Sequence, residues 1–249
     1  MTTSLLALAL TLGLVLAQGC SDKNPDDLTG GNNLAPTDKW YFTPREGVML
    51  HDTRLREITP DQPNGTFTTL WFGNDEFGDF NLLYLDSSVT FLDSIPLGSE
   101  ILACTLWVKV TMMPQSDGDS VLLDLWTCDE KWTENVATWN TRVLDTAWTT
   151  VGGTGTLVRR DIIKGKRLDL FNFEWWVGDV LLDTVTIEES RYLPIPIDPI
   201  VASANLDKTS HGFILKNSVT TTPEAFFTLI ASEGFVQSNH PYISWRYRN

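Results

Sequence analysis

From residue 39 onward the apolar residues of this chain recur at every second position in short runs, a period that fits strands and not helices. Ile101 to Thr111 reads ILACTLWVKVT, which sets Leu102, Cys104, Leu106, Val108 and Val110 on one face and Ala103, Thr105, Trp107 and Lys109 on the other. Tyr242 to Tyr247 alternates Ile243, Trp245 and Tyr247 against Ser244 and Arg246. Further runs of this kind are Val48–Ile58, Thr68–Phe72, Asn81–Asp86, Val121–Thr127, Leu168–Trp176, Val185–Ile187, Tyr192–Ile197, Gly212–Lys216 and Ala225–Ala231. They are rich in Val, Ile, Thr and aromatic residues, and Gly, Pro, Asn and Asp clusters separate them. Asp198 to Leu206 is the one helical candidate, with Asp198 as N-cap and Pro199 at the first helical position. Many short strands and almost no helix predict an all-β fold, an antiparallel β-sandwich of jelly-roll type with at most one or two short helices. No internal repeat and no second linker interrupts residues 39–249, so these are read as one domain.

The first 38 residues have a different character. Leu5 to Ala17 (LLALALTLGLVLA) is thirteen uncharged, mostly apolar positions, too few to span a bilayer and the right length for the apolar region of a secretory signal. Ala17-Gln18-Gly19-Cys20-Ser21 follows directly and resembles a bacterial lipobox. That resemblance implies a signal peptide over residues 1–19 and lipid attachment at Cys20, hence a membrane-anchored protein of the bacterial cell envelope, at the outer membrane or cell surface. Ser21 to Asp38 is rich in Asp, Asn, Gly and Pro, and residues 20–38 read as anchor and flexible tether.

Charge narrows the partners. The 249 residues carry 18 Lys+Arg against 32 Asp+Glu, a net charge of −14. Nucleic acid is excluded, because phosphate neutralisation needs a basic face, and polyanionic polysaccharides are disfavoured on the same ground. GxSxG, HExxH, Walker and GxGxxG patterns are absent, and the three histidines, His51, His211 and His240, are scattered without metal spacing. Asp and Glu are plentiful, so counting leaves a glycosidase carboxylate pair open.

Several segments together resemble the DNRLRE domain, a module of secreted bacterial and archaeal proteins. Asp52 to Glu57 (DTRLRE) is similar to the motif that names the family, with Thr53 where the name has Asn. Asn81–Ser87 (NLLYLDS) and Ile95–Val108 (IPLGSEILACTLWV) resemble two of its strand regions. Trp132–Asn140 (WTENVATWN) resembles its WTE…VTWN signature. Residues 195–213 and 226–247 resemble its closing pattern, and the likeness departs over 141–188, where this chain is longer. The resemblance implies a β-jelly roll and a non-catalytic binding role, since some relatives are carbohydrate-binding modules and others accompany polysaccharide-degrading enzymes or surface matrix proteins. A polysaccharide is then the expected partner, with a structural or adhesive protein that binds a surface protein as the alternative and a polysaccharide-degrading enzyme as a third reading.

Within that frame the candidate residues are weighed by chemistry. Sugar rings stack on exposed aromatic faces, so Trp71, Trp148, Trp175 and Trp176 are ligand candidates, each set against core packing. Arg54 and Arg56 share one strand face with Asp52; they either clamp a ligand or form an ion-pair ladder. Trp132 and Trp139 are expected to fold onto a common core around a turn at Asn135, with Glu134 and Asn140 serving nearby backbone donors. The acidic turns carrying Asp75, Asp117 and Asp119 offer oxygen ligands for a structural calcium ion, without EF-hand spacing. Cys104 and Cys128 lie symmetrically about Ser116; a hairpin centred there permits a disulfide, and strands assigned to different sheets leave two buried thiols.

Overall fold

Period-two alternation becomes two stacked antiparallel sheets. The computed structural model describes residues 38–43, 50–85 and 91–248; the signal segment, Cys20 and residues 21–37 lie outside them. The smaller sheet has the order β1 (Asp38–Phe42), β16 (Tyr242–Arg248), β5 (Glu100–Val108), β13 (Leu193–Ile197). The larger runs β12 (Val180–Thr186), β11 (Asn172–Val177), β10 (Leu157–Arg167), β7 (Ser120–Thr127), β14 (Phe213–Asn217), β4 (Gly78–Tyr84), β3 (Thr69–Asp75), β15 (Phe226–Ile230), β6 (Val110–Met112), and β2 (Asp52–Arg56) pairs with β4. A small hairpin, β8 (Thr141–Val143) with β9 (Thr146–Ala147), stands apart. This is the antiparallel jelly-roll sandwich that the sequence predicts. Residues 38–248 form one unit, and β1 begins at Asp38, the last position assigned to the tether.

The core lies between the sheets. Leu106, Ile195, Ile243 and Trp245 of the smaller sheet meet Phe72, Leu82, Tyr84, Leu123, Phe213 and Phe227 of the larger. Each side chain is nearly or fully buried, and each such burial contributes about 1.5–3 kcal/mol. The helix α1 (Pro199–Leu206) packs Val201, Ala202 and Leu206 onto this core. Its start is the expected one: Asp198 accepts the Ile200 N–H at 2.9 Å, with Pro199 following the cap.

Two expectations change. The run 101–111 is not one strand, because it leaves the smaller sheet after Val108 and enters the larger one as β6, paired with β15. A register shift opposite Arg246 and Tyr247 also turns Ile101 inward, leaving Leu102 only half-buried. The hairpin about Ser116 therefore does not exist: β5 and β7 belong to different sheets. Cys104 sits in the inter-sheet core and Cys128 in a second cluster, and both are free buried thiols, so the expected disulfide is corrected. The stretch 141–188 supplies the separate β8–β9 hairpin and β10 to β12, which extend the larger sheet and send Phe173, Trp175 and Val185 into the core.

Candidate functional site

Among the described residues, the outer face of the smaller sheet gathers aromatic side chains from neighbouring strands. Because Ile243, Trp245 and Tyr247 point into the core, the pleat turns Tyr242, Ser244, Arg246 and Arg248 outward. The same alternation turns Thr105 and Trp107 on β5 and Pro194 and Pro196 on β13 outward, half-buried, and leaves Trp40 and Phe42 on β1 exposed. Both prolines fit because β13 is an edge strand, where a missing ladder N–H costs least.

Two pairs of near-parallel rings lie on this face, here called the aromatic band. Tyr242 lies opposite Trp107 in the β16–β5 register, with ring centroids 5.9 Å apart and planes 10° from parallel. Trp40 and Phe42, two residues apart on β1, have centroids 6.0 Å apart at 15°. Each of this second pair keeps over a third of its surface in solvent, 36% and 37%. Tyr192 meets Tyr242 edge-on at 5.0 Å. The band is held by polar ties: Trp107 Nε1 donates to Ser244 Oγ at 2.9 Å, and Lys109 Nζ lies 2.8 Å from Asn239 Oδ1 and 4.7 Å from the Tyr192 ring centre. The Tyr192 hydroxyl sits 2.7 Å and 2.8 Å from the carbonyls of Ser238 and His240. At the β1 end the Asp38 carboxylate pairs with Arg246 at 2.6 Å and Arg248 at 2.8 Å. The Arg246 hydrogen bond leads the interactions that hold its carboxyl below the usual carboxylate range. Flat rings flanked by guanidinium, hydroxyl and carboxylate groups are the chemistry that stacks on the apolar face of a sugar and bonds its hydroxyls.

The six candidates named from sequence lie elsewhere. Trp71, Arg54 and Arg56 do meet, as guanidinium groups packed on rings, and Arg54 Nε and Nη1 and Arg56 Nε are buried without a hydrogen-bond partner among the described residues. Trp71 stacks on Phe226 at 5.1 Å, while the Arg54 guanidinium sits 4.5 Å from the Trp71 ring centre and 4.7 Å from that of Phe67. Arg54 is buried, and desolvation, with the neighbouring Arg56 charge, pulls its pKa down to about 10. Arg56 donates to Asp75 Oδ2 at 2.9 Å. Trp148 and Trp175 are corrected to core residues: their indole N–H groups donate to the carbonyls of Thr138 (2.9 Å) and Pro194 (3.0 Å). Trp176, half-buried on the larger sheet, donates to Glu174 Oε2 at 3.0 Å.

The acidic turns are likewise used locally. Asp75 pairs with Arg56, Asp117 with Arg167 at 2.9 Å, and Asp119 accepts the Ser116 N–H at 3.3 Å. Among the described residues the carboxylates brought together are instead Asp52, Glu134 and Glu233.

WTENVATWN is a packing element. Trp132, Ala137 and Trp148 join Leu55, Leu83, Cys128 and Ile214 in a second core on the outer face of the larger sheet, with Trp139 packed against it. Trp132 Nε1 donates to the His211 carbonyl at 2.8 Å, and Glu134 Oε1 accepts the Asp52 N–H at 2.8 Å. Asn140 donates to the Asp61 side chain at 2.9 Å, not to backbone.

Sequence reasoning missed the aromatic band because its rings come from three separate strands and from Tyr192, just before a fourth. The signal was present locally in the Trp40-Tyr41-Phe42 and Tyr242-Ile243-Ser244 alternations, but only the sheet order β1-β16-β5-β13 makes them one surface.

No family model matches the chain, and no curated protein matches it. Among solved structures it is similar to a protein from a study of endo-acting O-glycanases of human gut microbiota that initiate mucin breakdown, with 8% identity over 84% of this chain and 97% of that one, TM-score 0.20. It is also similar to the catalytic domain of an endo-1,3-β-glucanase (laminarinase) from Thermotoga petrophila RKU-1, with 13% identity over 72% and 75%, TM-score 0.15. A third is the binding domain of botulinum neurotoxin serotype G, with 10% identity over 68% of this chain and 40% of that one, TM-score 0.15. Likenesses at these scores decide neither fold nor function, which rest on the strands and side chains described above.

Proposed function

We propose that this chain is an exported, lipid-anchored, non-catalytic binding protein whose body docks a cell-surface or extracellular polysaccharide on the outer face of the smaller sheet. The observation that carries the reading is the pair of near-parallel ring sets, Trp40 with Phe42 and Trp107 with Tyr242, beside Arg246 and Arg248. The rings are anchored by the sheet and by the Trp107–Ser244 bond, so little side-chain freedom is lost when a sugar stacks. The net charge of −14 favours a neutral polysaccharide over a polyanionic one. The DTRLRE and WTENVATWN segments support placing the chain with DNRLRE-type modules, and the lipobox-like Cys20 supports an envelope address.

The test is affinity electrophoresis of the globular body through gels containing neutral or acidic polysaccharides, with Trp40→Ala and Trp107→Ala beside the wild type. Retardation by a neutral polysaccharide that both variants reduce supports the reading; unretarded migration in every gel refutes it. Replacing Cys20 with Ala and fractionating cells tests the anchor, and unchanged membrane association would refute that part.

A second reading, adhesion to a surface protein, draws on β12. This edge strand of the larger sheet exposes Val180, Leu181 and Leu182 at 61%, 42% and 47%. An unpaired apolar edge invites strand addition by another chain. A Leu181→Lys variant that loses cell adhesion while keeping polysaccharide retardation would favour this second surface.

A further inference from the structure

The cluster of Asp52, Glu134 and Glu233 belongs to neither the aromatic band nor the second core's apolar packing. Its members come from three distant parts of the chain. Asp52 opens β2, Glu134 lies in the WTENVATWN turn, and Glu233 lies in the connection from β15 to β16. One carboxylate oxygen from each lies within 4.8 Å of the other two. Two oxygens on one calcium ion, bound at about 2.3–2.6 Å, stand at most about 5 Å apart, so this spacing fits a single ion. Calcium accepts an irregular set of protein oxygens, whereas magnesium demands near-ideal octahedral geometry and gives up its water reluctantly, so a site of three protein carboxylates suits calcium better.

Asp52 supplies a second observation. It is fully buried; its Oδ2 accepts the Ser232 N–H at 2.9 Å, and its Oδ1 has no hydrogen-bond partner among the described residues. Tyr84 stands opposite Asp52 in the β2–β4 register, fully buried, with a hydroxyl in the same condition. An orphaned buried oxygen costs about 1–3 kcal/mol, and more when it is charged. The site is also braced. Glu134 Oε1 takes the Asp52 N–H at 2.8 Å, and Ser232 Oγ donates to Glu233 Oε1 at 2.8 Å. Gly65 lets the chain close over Glu134, since a Cβ there would sit 2.1 Å from the Glu134 carbonyl oxygen. Burial, then the charges of Glu233 and Glu134, push the Asp52 carboxyl well above its ordinary range, and burial likewise raises Glu233. Three carboxyls so placed repel one another when ionised, and a divalent cation reverses the sign of that interaction.

We propose that Asp52, Glu134 and Glu233 hold one divalent cation of the calcium class. Asp52 Oδ1 is one of its ligands, and the ion ties β2, the segment covering the larger sheet and the β15–β16 connection together. The role is structural, and it does not depend on what binds the aromatic band.

The test uses the full chain dialysed against a chelator, then titrated with CaCl2 or MgCl2 by calorimetry and followed by thermal unfolding. The expected result is one calcium site, a rise of Tm with calcium, and weaker binding of magnesium. Glu233→Gln, at a partly exposed position, is expected to fold and to lose calcium affinity at least about tenfold; Asp52→Asn is expected to abolish it. No calcium heat with an unchanged Tm would overturn the proposal, as would wild-type calcium affinity in Glu233→Gln. Magnesium binding as tightly as calcium would overturn the calcium-class assignment.

Discussion

Glu134 Oε1 accepts the backbone N–H of Asp52 at 2.8 Å, joining two motifs that lie 82 residues apart. The bond is buried at both ends, so one side chain fixes the start of β2 against the segment that covers the larger sheet. Glu134→Ala leaves that N–H without its acceptor, and a destabilisation of about 1–3 kcal/mol is expected. Glu134→Gln keeps an acceptor oxygen for that N–H and, measured in chelator, is expected to retain most of the wild-type stability. Urea unfolding checks both; equal stability of the alanine variant and the wild type would show that the bond contributes nothing.

For the aromatic band, Trp40→Ala is expected to weaken polysaccharide binding about tenfold, about 1.4 kcal/mol, with a smaller change in Tm than a core Trp would give, because Trp40 lies on an edge strand with a third of its surface in solvent. Trp107→Ala should weaken it as much and also lower Tm, since it frees the Ser244 hydroxyl. Trp176→Ala, on the other sheet, should leave binding unchanged. Titration calorimetry separates the three, and an effect confined to Trp176 would move the site to the larger sheet.

Asp38 makes the band sensitive to acid. Its pKa is depressed, so its contribution to stability is fully present above the ordinary Asp value of 3.8 and is lost as pH falls through the lower folded value. Below that point Arg246 and Arg248 lose their shared partner and β1 loosens from β16. Polysaccharide affinity should therefore fall at strongly acid pH in the wild type. In Asp38→Asn it should be low already at neutral pH and nearly flat. Parallel acid profiles for the two proteins would dissociate Asp38 from the band.

Cys104 and Cys128 are expected to remain unmodified by a maleimide in the native protein and to react after unfolding. Burial pushes the Cys128 thiol up to about 12 and Cys104 well above its ordinary value, so neither offers a thiolate at neutral pH. Reductant should leave Tm unchanged. Peptide mapping that found a 104–128 disulfide would contradict the strand assignment itself.

The all-β class, most strands and the capped helix α1 were readable from the sequence, because alternation and the Asp198-Pro199 start are local signals. The packing role of Trp132 was also legible, since a Trp-rich turn needs a partner for its indole N–H. Local pattern does not reveal sheet membership. Nothing in ILACTLWVKVT marks Lys109 as the point where the chain changes sheets, and that change separates Cys104 from Cys128. Tertiary pairing alone sets Tyr242 against Trp107 and Trp40 beside Arg246, and it alone gathers Asp52, Glu134 and Glu233. Alternation along a strand fixes which way each side chain faces, whereas the neighbours it meets depend on hydrogen-bond registers between segments far apart in the chain.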